Sequence, residues 1–138
     1  MHIGKKDGTQ KFIETFQKLN SYTKSILVLE NCHYYKVNEV LELCEEIEIP
    51  MVLDVHHARV TKSEEYDIER VKATWKKRKP LAHISSGKDS LNDKSHADYI
   101  SDEDIEKFRW LFHQFDVEIE AKKKELALEK LEKKILVS

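Results

Sequence analysis

The stretch MVLDVHHARV, Met51–Val60, is the most informative part of this sequence because it joins an apolar run to a carboxylate and two imidazoles. A short apolar run that follows a proline is typical of a buried strand in a parallel sheet. We predict a strand over Met51–Val55, with Asp54 and His56 on one face and His57 just past the strand end. Since an unpartnered buried carboxylate is costly, these side chains indicate a bound counter-charge.

Apolar runs alternate with helical patterns on both sides of this stretch. The predicted helices are 9–19, 37–49, 64–78, 101–115 and 122–136, and the predicted strands are 25–31, 51–55, 80–86 and 116–121. Strands that are separated by crossover helices pair in parallel, so the sequence predicts an α/β fold. Four such strands form either a small open sheet or half of an eight-stranded (β/α) barrel, whose usual length is about 250 residues.

Composition limits the classes of protein to which the chain can belong. The 138 residues suit one domain over 1–138, closed by a charged helical segment over 122–138. The formal net charge of -2 lacks the basic excess of many nucleic-acid binders, although WKKRK at 75–79 forms a local basic patch. Two cysteines outside a C-x-x-C pattern, with no long apolar run, predict a cytoplasmic protein without a membrane partner.

A polar side chain stands at the end of every predicted strand. In chain order these residues are Glu30, Asp54, His57, His83 and Glu120. The carboxyl ends of parallel strands meet at one edge, where active sites gather. Carboxylates and imidazoles without thiolates suit Mn²⁺, Mg²⁺ or Zn²⁺, and this many donors exceeds the need of one ion. The pattern therefore predicts a multi-metal cluster of the kind that commonly serves phosphoester chemistry.

Each of these residues also has a structural interpretation when it is taken alone. Glu30 could cap a helix or form a salt bridge, and His83 could be a core histidine bonded to the backbone. His96 lies in a polar loop and is expected to face solvent, while Glu118 could be a salt-bridge partner. We expect His56 to support the ligands rather than bind metal itself.

Several blocks of the sequence resemble, in order and approximate spacing, the C-terminal half of the UV damage endonucleases. The blocks are VLEN at 28–31, IPMVLDVHH at 49–57, TW at 74–75, HISSG at 83–87, HADYI at 96–100 and IEAKKKE at 119–125, and MHIG at 1–4 resembles the end of the preceding strand. The resemblance implies a (β/α) barrel related to endonuclease IV and the xylose isomerases. It also implies a divalent metal cluster, often manganese, and nicking of UV-damaged DNA immediately 5′ of photoproducts.

The resemblance also assigns roles to individual residues. The implied metal ligands are His2, Glu30, Asp54, His57, His83, His96 and Glu120, with Mn²⁺ as the first choice of metal and Zn²⁺ or Mg²⁺ as alternatives. The implied catalytic residues are Glu30, Asp54, His83, Glu120 and Lys122. For phosphate contacts with DNA at the nucleoid, the candidates are Lys76, Lys77, Arg78 and Lys79.

Two local departures separate this sequence from the family pattern. Cys32 and His33 stand where the family usually has an acidic pair, and Leu81 stands where it commonly has a lysine tied to the metal cluster. Either Lys79 replaces that lysine from a shifted register or the cluster is altered.

A larger departure is that, by strand count, the resemblance begins at the end of the fourth strand of the family barrel, so the strands before that point have no counterpart here. A half barrel would leave open edges, so we expect pairing with a second copy or a separate N-terminal half, unless the chain is a truncated product. Whether this chain is itself an enzyme therefore stays open. The alternatives to the nuclease are a xylose isomerase-like sugar enzyme and a non-catalytic remnant.

Overall fold

The structure, a computed structural model, describes residues 1–63 and 65–137. Its strands are β1 Leu29–Glu30, β2 Met51–Asp54, β3 Leu81–Ile84 and β4 Asp116–Ile119. Its helices are α1 Thr9–Gln17, α2 Ser21–Ile26, α3 Val37–Ile47, α4 Val55–Val60, α5 Ile68–Ala73, α6 Asp102–Lys107, α7 Leu111–Gln114 and α8 Glu125–Leu136. Glu64, where a helix was predicted to begin, and Ser138, the end of the predicted closing segment, lie outside the described residues.

The four strands form one parallel sheet in the order β1-β2-β3-β4. The register pairs Leu29 with Met51, Asp54 with His83, and His83 with Glu118. All four strands therefore end at the same edge, as the alternation of strands and helices predicted. This edge carries the polar residues that the sequence singled out.

One face of the sheet is covered by helices, and the other is partly open. Ala82 and Ile84 are fully buried on the covered face, whereas Leu81 and His83, which alternate with them, are only half-buried. Glu118, next to His83 in the register, keeps 61% of its side-chain surface exposed. The open face is therefore the one on which the polar strand ends lie.

Helix α3 shows why the helical patterns form where they do. Val37, Val40, Leu41 and Cys44 are spaced three and four residues apart and are all buried. At the start of the helix, the backbone N–H of Lys36 donates to the Glu39 carboxylate. These contacts direct one apolar stripe of the helix toward the sheet.

Several predicted boundaries were wrong because short helices form beside the strands. Residues 25 and 26, predicted as strand, belong to α2, whose start is capped by the Asn20 side chain accepting from the Thr23 N–H at 2.8 Å. The predicted helix 101–115 is divided into α6 and α7, although Ser101 caps α6 as expected. Of the predicted helix 64–78, the described part, 65–78, is helical only in α5. None of the helices within 1–63 and 65–137 combines the length and apolarity needed to cross a bilayer.

Asn31 joins the ends of β1 and β2 through its side chain. Its amide donates to the Asp54 carbonyl at 2.9 Å, and its side-chain oxygen accepts from the Asp54 N–H at 2.8 Å. Both residues are fully buried. The Asn31 side chain therefore takes the place of a backbone partner, because it satisfies both the N–H and the carbonyl of Asp54.

We expect Asn31→Ala to lower the free energy of unfolding by about 2–4 kcal/mol, since two buried backbone groups lose their partners. Asn38→Ala is the matched control, because the Asn38 amide makes one exposed hydrogen bond to the Glu65 carbonyl. The control should change stability by less than about 0.5 kcal/mol. Urea unfolding measures both, and equal losses would contradict the role given to Asn31.

Candidate metal centre

The first strand and the amino terminus bring His2 beside Glu30. The Met1 N donates to the Val28 carbonyl at 3.0 Å, and the Glu30 N–H donates to the Met1 carbonyl at 2.8 Å. These bonds pair Met1 with β1 in the manner of a parallel strand. As a result, Nε2 of His2 lies 2.8 Å from Oε2 of Glu30. His2 is partly exposed, whereas Glu30 is buried.

The second strand ends in a helix start that turns His57 toward Glu30. Asp54 caps α4, and its Oδ1 accepts from the His57 N–H at 2.7 Å. The His57 ring lies with Nδ1 2.9 Å from the Asn31 carbonyl, 3.3 Å from Oδ2 of Asp54 and 3.6 Å from Oε1 of Glu30. A neutral ring that donates Nδ1–H to the Asn31 carbonyl keeps the Nε2 lone pair for a cation.

His56 does not share a strand face with Asp54, because the helix begins at Val55 and both histidines belong to it. The prediction that placed His56 on the strand was wrong for this reason. Its ring contacts the Arg59 guanidinium at 2.8 Å and the Asp93 carbonyl at 2.7 Å. It therefore contacts the loop that follows β3.

The third and fourth strands add His83 and Glu120 to the same cluster. Nδ1 of His83 lies 3.2 Å from Oε1 of Glu30 and 3.6 Å from Oε1 of Glu120. On the other side of the ring, Nε2 of His83 lies 3.3 Å from Oε2 of Glu118, which agrees with the interpretation of Glu118 as a salt-bridge partner. Glu120 follows β4 directly, so its carboxylate meets the ligands at the strand ends.

His96 and Lys122 lie at the rim of this cluster. Nε2 of His96 lies 3.8 Å from Oε2 of Glu120, a longer separation than those between His83 and the two carboxylates Glu30 and Glu120. Lys122 donates its backbone N–H to the Ala97 carbonyl at 3.1 Å. The segment after β4 is thus bonded to the loop that carries His96.

The described residues contain two groups of donors that could hold a metal ion. In each group, one donor atom from every member lies within 4.8 Å of the others. The first group is His2, Glu30 and His57, and the second is Glu30, Asp54, His83 and Glu120. Glu30 belongs to both, so its carboxylate links two candidate ion positions.

Three buried polar atoms of the second group have no hydrogen-bond partner among the described residues. They are Oε1 of Glu30, Oδ2 of Asp54 and Nδ1 of His83. Buried polar atoms in folded proteins nearly always have a hydrogen-bond partner, so three unpartnered atoms in one cluster indicate a site for a ligand. A cation shared by the three atoms would satisfy them, and the donor set therefore fits a divalent metal.

Without a cation, histidine protons balance the charge of Glu30. Burial alone would raise the pKa of Glu30, but contacts with the imidazoles of His2, His57 and His83 hold it well below its usual range. Burial opposes charging of His57 and His83, yet Glu30 raises the pKa of both above the ordinary value. Burial also raises the pKa of Asp54 to about 7.

The position of the expected lysine is apolar in the structure. Leu81 lies two residues before His83 in β3, with its side chain half-buried. Lys79 does not replace the missing lysine, because its Nζ lies 2.5 Å from Oδ1 of Asp116 at the start of β4. That contact is at the opposite end of the sheet from the strand ends.

The predicted DNA-contact residues lie at that opposite end as well. Lys76, Lys77, Arg78 and Lys79 follow α5 and immediately precede β3. All four are exposed, and Arg78 lies over the Trp75 ring. The structure therefore does not bring this basic stretch to the candidate metal centre.

A buried network next to the centre was not foreseen from the sequence. Arg59 contacts Asp104 with 2.6 Å between Nη1 and Oδ1, and the Ser86 hydroxyl donates to the same carboxylate. Together with His56, these residues join α4, the segment after β3 and α6. Only the Ser101–Asp104 spacing hinted at this network, because it identified a helix start at Ser101.

Comparison with known proteins gives one family. The family model described as UV-endonuclease UvdE matches residues 1–137. A UV DNA damage endonuclease from Bacillus cereus strain 03BB102 is 34% identical, with 93% of this chain and 45% of that protein covered. One from Nostoc sp. strain PCC 7120 is 32% identical, with 93% and 42% covered.

A solved structure agrees with these sequence matches. The structure titled "Crystal Structure of SacUVDE" matches with a TM-score of 0.86 and 27% identity, over 99% of this chain and 50% of that chain. This match confirms the predicted fold class, half of a TIM-like barrel. The chain spans about half the length of the curated relatives it matches. The chain belongs to the UV-endonuclease UvdE family.

Proposed function

We propose that this chain carries the C-terminal half of a metal-dependent endonuclease centre that nicks DNA immediately 5′ of UV photoproducts. Family membership supports the reaction class, and the two linked donor groups support the metal. The observation that carries the proposal is the position of Glu30. Its two carboxylate oxygens face different partners, with Oε2 toward His2 and Oε1 toward His83 and His57.

The proposed metal is Mn²⁺, with Zn²⁺ or Mg²⁺ as alternatives, because the donors are carboxylates and imidazoles without thiolates. The residues that would hold it are His2, Glu30, Asp54, His57, His83 and Glu120, with His96 reaching the cluster through Glu120. When bound, divalent ions supply charge neutralisation at the scissile phosphate and a lowered pKa for an attacking water.

The chain's own residues orient this centre and hold its protons. Asn31 fixes Asp54 through its backbone, and the Asp54 carboxylate in turn fixes the start of the His57 helix. Burial raises the pKa of Asp54 to about 7, so this carboxyl is partly protonated near neutral pH. The Glu30 carboxylate raises the pKa of His57 and His83, which favours the protonated imidazoles that neutralise it when no cation is bound. Lys122, exposed beside Glu120, is proposed to face the substrate phosphate.

The proposed partners are UV-damaged DNA and a second polypeptide that completes the barrel. A separate N-terminal half or a second copy would supply the missing strands, because the chain matches only about half of its relatives. We still predict that the basic stretch at 76–79 contacts DNA phosphates, at a distance from the metal centre. Since the proposed substrate is chromosomal DNA, a nucleoid-associated cytoplasmic location belongs to the same proposal.

Two other functions use the same fold. A xylose isomerase-like sugar enzyme would employ similar strand-end ligands, but the family match favours the nuclease. Leu81 favours a non-catalytic remnant, because this apolar side chain stands at the position where the family commonly has a lysine tied to the metal cluster. The nuclease and the remnant differ in whether the chain can restore DNA nicking.

We expect the affinity for Mn²⁺ to rise between about pH 6 and pH 8, a range centred on the pKa of about 7 of Asp54, with protons released on binding. The reason is that the pKa values of His57 and His83 are raised, and that of Asp54 is raised to about 7, so protons must leave before a cation can bind. Titration calorimetry in buffers of different ionisation enthalpy measures both the affinity and the proton count.

The matched variants for this titration are Glu30→Gln and Glu46→Gln. Glu30→Gln removes the linking carboxylate and should weaken binding by at least about 100-fold. Glu46 is exposed on α3, so its variant should bind as the parent does. An affinity that is constant across this pH range, or equal binding by Glu30→Gln, would contradict the proposed centre.

We expect nicking of a UV-irradiated duplex when the chain is mixed with Mn²⁺ and the N-terminal half of the Bacillus cereus relative. This half supplies the part of the relative that the chain does not match, and an unirradiated duplex is the substrate control. Separation of the strands on a denaturing gel locates the nick. Glu30→Gln should abolish cleavage and Glu46→Gln should leave it unchanged. Equal cleavage of both duplexes argues against the proposal, and no cleavage of either supports the remnant.

A further inference from the structure

The loop 87–98 is a folded unit that carries Lys94 to the rim of the metal centre. Gly87 and His96 form an antiparallel bridge, and the Lys88 N–H donates to the Ser95 carbonyl at 2.8 Å. Inside the loop, the Asp93 carboxylate accepts from the Ser95 N–H at 2.9 Å. A Cβ at Gly87 would lie 1.9 Å from the Ser90 carbonyl oxygen, so only glycine fits this turn.

The loop is attached to the body of the protein on both sides. His56 contacts the Asp93 carbonyl at 2.7 Å, and the Ala97 N–H donates to the Ser86 carbonyl at 2.8 Å. The Lys122 N–H donates to the Ala97 carbonyl at 3.1 Å. These bonds hold the loop on both sides of Lys94 and join it to the backbone of Lys122.

An exposed aromatic ring lies beside Lys94. Nζ of Lys94 is 5.9 Å from the centre of the Tyr34 ring, and 51% of the Tyr34 surface is exposed. The His33 ring lies 4.1 Å from that of Tyr34 and 6.0 Å from that of His57. Aromatic and cationic groups thus continue from the metal centre to the surface.

Lys94 and Lys122 also line one cavity together with two candidate ligands. The cavity has a volume of about 500 Å³ and is lined by Lys94, Ser95, His96, Glu120, Ala121 and Lys122. Over residues 1–63 and 65–137, neither lysine has a carboxylate oxygen within 4.0 Å of Nζ. By contrast, Lys79 at the other end of the sheet is paired with Asp116.

We propose that Tyr34, Lys94 and Lys122 form a contact surface for a nucleic-acid strand beside the metal centre. The two lysines bind backbone phosphates, and Tyr34 stacks against a base. This inference rests on the proposed function, because it takes DNA as the ligand. It places the strand at the carboxyl edge of the sheet, where the candidate metal ligands lie.

The test measures binding of a fluorescent single-stranded oligonucleotide in EDTA, so that metal does not contribute. Anisotropy titrations at several salt concentrations compare the parent with Lys94→Gln combined with Lys122→Gln. We expect at least about tenfold weaker binding at low salt and a salt slope that is smaller by about 1.4, as the loss of two phosphate contacts requires. Lys11→Gln combined with Lys18→Gln, at two exposed sites of the first helical region, should change binding less than about twofold.

Tyr34→Ala tests the stacking contact separately from charge. It should weaken binding by about 5-fold to 100-fold with an unchanged salt slope, since stacking does not release counterions. Tyr22→Ala is the matched control, because Tyr22 is 74% exposed on α2. Thermal unfolding confirms that these surface variants remain folded, and Mn²⁺ titration of Tyr34→Ala and Tyr22→Ala should give the affinity of the parent.

The outcomes separate this inference from the proposed function. If the chain shows no oligonucleotide binding, or if the Lys94 and Lys122 variant binds like the parent, the contact surface is overturned. The same holds if Lys76→Gln combined with Lys77→Gln weakens binding instead, because contact would then lie at the opposite end of the sheet. If binding depends on Tyr34, Lys94 and Lys122 but Mn²⁺ affinity and nicking are absent, the contact surface stands and the endonuclease proposal fails.

Discussion

The buried carboxylate of Glu30 is the constraint on which the rest of this structure depends. A buried ion costs several kcal/mol unless opposite charge surrounds it. Three imidazoles, from His2, His57 and His83, face Glu30, and each comes from a different segment of the chain. To bring them there, the sheet must be parallel, β2 must end in a helix cap and Met1 must pair with β1. The parallel sheet, the helix cap and the pairing of Met1 together place these imidazoles around Glu30.

The sequence predicted much of this arrangement because parallel strands leave simple signals. Apolar runs predict all four strands, and the polar residues at their ends include Glu30, Asp54, His83 and Glu120, which the structure brings together. Their convergence followed from strand direction alone. Neither His2 nor His96 could be found this way, since neither follows a strand pattern, and only the resemblance to a family pointed to them.

Other features could not be predicted because they depend on side chains that substitute for backbone bonds. Asp54 ends its strand by capping α4, so His56 and His57 point as helical residues rather than as strand neighbours. Asn31 satisfies the backbone of Asp54, which no periodicity reveals. The contacts of Arg59 with His56 and Asp104 link positions up to 45 residues apart. Composition identifies the basic stretch at 76–79, but composition does not tell at which end of the sheet this segment lies.

If Glu30 lies between two ion positions, anomalous scattering from crystals soaked in Mn²⁺ will locate both. We expect manganese peaks in contact with Glu30, one beside His2 and His57 and another beside Asp54, His83 and Glu120. Manganese bound elsewhere, or no peak in contact with the Glu30 carboxylate, would show that Glu30 does not link two ion positions.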